Sequence, residues 1–427
     1  MKHLRLLLLI SLFLLPALCQ AADDYGYPLP GAYGATIIGT PAAMKPELPK
    51  DIKAKRLVLD VIPDMEKPEI FYYNEGLRCT VAFQDKKAPL VFLIAGTGSG
   101  DQSGKMMALM RALYQAGYHV VSLPSPTHAN FVVAASQSHI PGDLTEDAAD
   151  LYYVMEKVWN KVKDDIEVSD FYLSGFSLGA TQSAFVAKLD DEKKAFNFRK
   201  VLMINPAVNL YDSVVRIEDT LKEIPGGAKE GAKFMNDLIT RFTEFYERNQ
   251  FTAFNENFLY ALAKSGTVTQ SDAAGIIGVS FRIASGGMIF ASDVMTNGGY
   301  VVPKNRVLTN SDDLGPYFRV STHLSFIDYF DEYFLPYFKS KRPGLTRDAL
   351  IAAQGLQSIE PYLKSNQKIG AITNENDFIL SDGDRGYLKQ LFCERTKIYP
   401  RGGHGGNFEY KDNLAYALDF FKTGGEK

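Results

Sequence analysis

Short apolar runs alternate with amphipathic stretches through the first half of the chain. PLVFLIA at Pro89–Ala95 and YHVVSL at Tyr118–Leu123 are unbroken apolar segments, each followed at once by Gly or Pro. Runs of that length without polar alternation suit strands buried on both faces, as in a parallel sheet. Arg56–Ile62 and Leu77–Phe83 read as paired strands with a turn between them. Between the apolar runs, Met106, Leu109, Met110 and Leu113 stand at helical spacing. Leu144, Ala148, Leu151, Met155, Val158 and Val162 make one stripe along a helix from about Asp143 to Lys163, with Asp143 and Glu146 spaced as a capping box. A strand at Asp170–Leu173, a helix from Leu178 to about Leu189 and a strand at Lys200–Ile204 continue the alternation, which predicts a parallel α/β sheet.

The alternation stops near Asn209. From there to Ser365 the pattern is mostly helical, broken at Gly226-Gly227, Gly286-Gly287 and Asn297-Gly298-Gly299. It resumes with a strand at Lys368–Thr373, a helix near Gly386–Phe392, a strand at Thr396–Tyr399 and a last helix from Lys411 to Phe421. This interruption predicts a mainly helical cap, residues 209–365, inserted after the sixth strand of a body made of residues 51–208 and 366–427. Residues 22–50 are rich in Gly, Pro, Ala and Tyr and lack either periodicity, so an extended arm on the surface of the body is expected.

Residues 1–21 have the layout of a secretory signal peptide: Lys2 and Arg5, an apolar Leu6–Leu18, then small residues ending at Ala21. The apolar run is ~13 residues, short of the ~20 a membrane span needs. Export to the periplasm or beyond the cell follows. Lipidation at Cys19 is an alternative that Leu18 disfavours, since that position normally carries a small residue, and a retained anchor is another. No other window reads as a span, so no integral membrane segment is expected in the mature chain. Cys79 and Cys393 remain; two free buried thiols are expected, although an oxidising compartment permits a bridge.

Composition narrows the classes. With 427 residues, 46% apolar and 22% charged, the chain can bury a large core. A net charge of −4 leaves no basic excess for a phosphate backbone, so nucleic acid is not an expected partner.

The most specific chemical signal is Gly175-Phe176-Ser177-Leu178-Gly179, which follows an apolar strand and opens a helix. This is the G-x-S-x-G nucleophile elbow in its required context. The turn is so tight that its flanking positions must lack side chains, and it lifts the Ser177 hydroxyl above the sheet edge. A bare match of this kind also occurs by chance, with the serine serving as a helix N-cap. A serine hydroxyl needs a base to take its proton. Of the five histidines beyond the signal, His404 lies in RGGHGG, after the last strand and before the last helix. Four glycines let that loop bring the imidazole close to another backbone. His119 reads as a core residue and His323 as structural or pocket-lining, while His128 could border the site mouth. The acid that orients the base is sought in NENDFI after strand KIGAIT: Asp377 leads, Glu375 is a rival, and Asp382 and Asp384 read as caps of the next helix. The glycine-rich Gly96–Gly100 turn exposes backbone N–H groups; with the N–H of Leu178, that of Thr97 is the expected oxyanion donor. The same turn fails as a phosphate loop, with Ser99 and Met106 at two required positions, and fails as a dinucleotide fingerprint. No Cys/His spacing suggests zinc, and the chemistry requires no metal or cofactor.

On these residues the chain resembles the α/β-hydrolase superfamily. Its chain order Ser177, Asp377, His404 is the family's, and the resemblance covers Lys53–Ala207 and Lys368–Phe421. Ala95 stands where many members carry His before the oxyanion glycine, and the cap is unusually large. The resemblance implies an esterase- or lipase-like serine hydrolase that cleaves the ester, or a thioester or amide, of a small-molecule or lipid-like acyl substrate through an acyl-enzyme. Phe326–Phe338 (FIDYFDEYFLPYF) either lines an apolar acyl pocket or forms the core of the cap. An exported peptidase or acyltransferase with the same triad, and a non-catalytic binding protein on the same fold, are the alternatives.

Overall fold

The computed structural model describes residues 25–248, 260–262 and 264–422; the expected signal peptide at 1–21 lies outside them. Among the described residues eight strands form one sheet in the order β1-β2-β4-β3-β5-β6-β7-β8. They are β1 (Ala54–Leu59), β2 (Leu77–Ala82), β3 (Ala88–Ile94), β4 (His119–Leu123), β5 (Val168–Phe176), β6 (Val201–Ile204), β7 (Ile369–Asn374) and β8 (Thr396–Tyr399). β2 runs antiparallel to β1 and β4, and all other neighbours are parallel. β5 is longer than its apolar core suggests. Its first half carries half-exposed polar residues at the sheet rim, which hide it from a search for continuous apolar runs.

Alternate residues of β3 enter opposite cores. Leu90, Phe92 and Ile94 pack with helices α4 (Leu144–Val162) and α5 (Leu178–Lys193). Val91 and Leu93, with Ala95 just beyond the strand, pack with α2 (Gly104–Gln115) and the last helix, Lys411–Lys422. A sheet covered on both faces explains why these strands carry no polar alternation. Asp143 caps α4 by accepting from the N–H groups of Thr145 and Glu146; the Glu146 carboxylate pairs with Arg342 at 3.2 Å. This eight-stranded, mostly parallel sheet flanked by helices is the α/β-hydrolase-type fold that the resemblance implied.

Between β6 and β7 the described residues are mainly helical, beginning with α6 (Leu210–Asp219) and α7 (Gly231–Arg248) and including the long helix Gln270–Thr296. Met288, Phe290, Phe330 and Phe334 of this region share one core with Ile70, Phe71, Val132 and Val133 of the body. The helix Gln270–Thr296 is, by length and composition, apolar enough to cross a membrane, against the expectation that no such window follows the signal; half of that window is buried inside the fold.

Two local expectations are corrected, and one element is new. The arm is not an extended surface strap: Ala32–Ile38 forms helix α1, and Tyr27 and Ala35 are fully buried. Its glycine, threonine and isoleucines are weak helix formers, so packing rather than propensity makes this helix. A second short helix, α3 (Ala129–Ala134), follows β4 and was not anticipated. Cys79 is buried and free as expected, but Cys393 is free and exposed. It sits at the C-terminal end of helix Asp382–Phe392, beyond the buried Leu388, Leu391 and Phe392.

Candidate active site

β5 passes into α5 through Ser177, which holds φ 56° and ψ −121°. A Cβ on Gly175 would lie 2.1 Å from the Gly179 carbonyl oxygen, and one on Gly179 would lie 2.3 Å from that of Ile94. Both contacts are with backbone, so neither glycine has a substitute. The Ser177 N–H donates to Ile204 O at 2.9 Å, which ties the strained residue to β6.

Ser177 Oγ lies 2.8 Å from His404 Nε2, and His404 Nδ1 lies 3.1 Å from both oxygens of Asp377. With the carboxylate facing Nδ1, that nitrogen holds the ring proton and Nε2 is left to accept from the hydroxyl. Asp377 follows β7 and is buried. Besides the imidazole, its carboxylate accepts from Asn205 Nδ2 at 2.8 Å, Thr373 Oγ1 at 3.2 Å and the Ile379 N–H at 3.3 Å. The structure thus brings together three side chains separated by up to 227 residues. Asn205 was not anticipated; a lone Asn after a strand gives no sequence signal.

The arm holds the histidine loop. The His404 N–H donates to Thr36 Oγ1 at 2.8 Å, and the Thr40 hydroxyl donates to Gly406 O at 3.0 Å. A Cβ on Gly403 or Gly406 would stand 2.0 Å from the carbonyl oxygens of Ala32 and Ala35 respectively, and Gly403 has φ +58°. The glycines therefore bring the imidazole against another backbone, as their number suggests, and that backbone is α1. The Arg401 guanidinium donates to the carbonyls of Tyr25 and Tyr27.

Gly96–Gly100 turns beside the elbow. Among the described residues the N–H groups of Thr97 and Leu178 have no hydrogen-bond partner, while the next N–H, that of Gly98, is taken by Thr127 Oγ1 at 2.8 Å. The turn is anchored by buried Asp101, which receives Arg56 Nη2 at 2.6 Å and the Thr80 hydroxyl at 2.7 Å. Leu178 and Thr97 also form part of the wall of a cavity of about 70 Å³, together with Phe281, Ser285, Met288 and Phe330. Of the stripe Phe326–Phe338, Phe326, Tyr329, Phe330 and Phe334 line this cavity, whereas Phe338 is buried core.

The other candidates lie elsewhere. Glu375 pairs with Lys389 at 2.8 Å on the surface. Asp384 completes a capping box with Ser381, the actual cap, and Asp382 pairs with Arg385. His119 is core, accepting from the Gln84 N–H at 3.1 Å. His128 caps α3, and its burial lowers its pKa; it is not part of the cavity wall. His323 is exposed and bonds Arg319 O. Among the described residues no group of three or more His, Cys, Asp or Glu is gathered as for a metal ion.

No family model matches the chain, and no curated protein does. Among solved structures it is similar to a thioesterase domain from the curacin biosynthetic pathway, at 13% identity and a TM-score of 0.38, covering 88% of this chain and 100% of that one. One of two esterases from the fungus Rhizomucor miehei gives 14% identity and a TM-score of 0.41 over 92% of this chain and 88% of the other. An esterase of Pyrococcus furiosus gives 10% and 0.42 over 87% and 91%.

Proposed function

We propose that this chain, built on the α/β-hydrolase-type fold, is an exported serine hydrolase that cleaves carboxylic esters through an acyl-enzyme. The observation that carries the reading is the 2.8 Å approach of His404 Nε2 to Ser177 Oγ, with Asp377 on the far side of the same ring. Ser177 attacks the ester carbonyl as His404 takes its proton. The N–H groups of Thr97 and Leu178 receive the oxyanion, and being unpaired beforehand they need no rearrangement. The imidazolium, stabilised by Asp377, then protonates the leaving alcohol. Water then attacks the acyl-enzyme as His404 accepts its proton, and the imidazolium returns that proton to Ser177 Oγ as the acid leaves. An apolar wall beside the elbow favours an acyl chain over a charged peptide side chain. The leader-like residues 1–21 support action outside the cytoplasm.

The test is a fluorophosphonate probe, which phosphonylates an activated serine. Labelling of the wild type and none of Ser177→Ala supports the reading. A wild type that folds and does not label overturns it in favour of a non-catalytic binding protein.

A further inference from the structure

We infer that the cavity beside the elbow is an acyl pocket sized for a short chain, so that the substrates are esters of acids of about two to four carbons. The inference rests on the serine-hydrolase reading above and deepens it.

The direction follows from shared residues. Thr97 and Leu178 supply the two free N–H groups and are also part of the cavity wall. An ester carbonyl with its carbon on Ser177 Oγ and its oxygen on those groups has its acyl substituent at the mouth of that space. The length follows from volume. The cavity is about 70 Å³. A void of about 150 Å³ holds one benzene, so at the same density this one holds roughly three heavy atoms beyond the carbonyl carbon.

The walls do not readily give way. Phe281, Ser285 and Met288 lie at i, i+4 and i+7 of the long helix and form one side. The same helix presses Ala284 against the oxyanion turn, where a Cβ on Gly98 would lie 2.9 Å from that of Ala284. Opposite, the rings of Phe330 and Phe334 are stacked at 5.5 Å and both residues are buried. A longer chain has to displace Met288 or one of these rings. Ser285 puts a polar hydroxyl-bearing side chain in that wall, a poor surface for further methylenes.

The test is kcat/KM for p-nitrophenyl acetate, butyrate, hexanoate and octanoate, with active sites counted by fluorophosphonate labelling so that misfolded material does not enter the rates. The wild type is expected to lose at least tenfold between butyrate and octanoate. Met288→Ala, which lengthens the space, should raise the hexanoate-to-acetate ratio at least fivefold. Ser285→Leu, which fills it, should lower the butyrate-to-acetate ratio at least tenfold. Octanoate turned over as fast as butyrate by the wild type, or ratios unmoved in both variants, overturns the short pocket while leaving the triad intact. A wild type whose Ser177 does not label overturns the triad, and the pocket with it.

Discussion

The backbone N–H of His404 donates to the side-chain hydroxyl of Thr36 at 2.8 Å, across 368 residues of sequence. That hydroxyl in turn donates to Ala32 O at 2.7 Å, so the acceptor is held by its own helical turn. Thr36→Val keeps the shape and removes the acceptor, leaving a partly buried N–H unpaired at a cost of about 1–3 kcal/mol. The expected result is a ten- to hundredfold loss in kcat with KM little changed, restored by Thr36→Ser. Unchanged kcat in Thr36→Val would separate the arm from catalysis.

Ser177→Ala and His404→Ala should each lower kcat by about four to six orders of magnitude, and the double variant should be no worse than either alone, because the groups act as a unit. Asp377→Asn should cost about 10⁴ by stabilising the wrong imidazole tautomer. Ester hydrolysis with circular dichroism as a folding control checks all three. Additive losses in the double variant would mean that the serine and histidine work separately.

Asn205 positions Asp377. Its amide donates to Asp377 Oδ2 at 2.8 Å, and its own backbone sits at φ +50°, a conformation Asn tolerates better than most residues. Asn205→Ala should lower kcat about tenfold with KM little changed. Asn205→Asp sets a second carboxylate against the first and should be worse than alanine. A kcat in Asn205→Asp equal to wild type would remove this residue from the site.

Asp150 lies near the start of α4, where burial pushes its carboxyl up to about 7 even though it accepts from the Gln137 N–H. Below about pH 4 the group is protonated whether the chain is folded or not. Between there and about 7 the unfolded chain gives up a proton that the folded chain keeps, so stability falls as pH rises. The loss is complete above about 7 and amounts to at most about 4 kcal/mol. Asp150→Asn escapes it. The Tm of Asp150→Asn relative to wild type should therefore be higher at pH 8 than at pH 5; an equal gap at both pH values contradicts the assignment.

The sheet was legible because its strands are buried on both faces and so carry unbroken apolar runs; β3 and β4 fall within a residue or two of where those runs place them. The elbow was legible because Gly175 and Gly179 meet backbone that no side chain could share. His404 and Asp377 stood out through their loops, each at the carboxyl end of a strand. What escaped was whatever tertiary packing imposes on weak local signals. Helix α1 is built from AYGATII, whose composition reads as loop, and it is helical because it is wedged against the histidine loop. Thr36 and Asn205 make single hydrogen bonds to partners far along the chain, and nothing local marks either. Gln270 falls in the same class: its side chain accepts from the Gly34 N–H at 3.1 Å, joining the arm to the first turn of the long helix.

The seating of α1 has a consequence for the arm as a whole. Bringing positions 36 and 404 together closes a loop of 368 residues, a contact of very high sequence separation. A product holding the elbow and the sheet but lacking positions 32–36 loses the acceptor of the His404 N–H and the backbone against which Gly403 and Gly406 pack. Deleting residues 25–40 should therefore cost the proposed hydrolysis at least as much as Thr36→Val does, with the sheet and the elbow still in place.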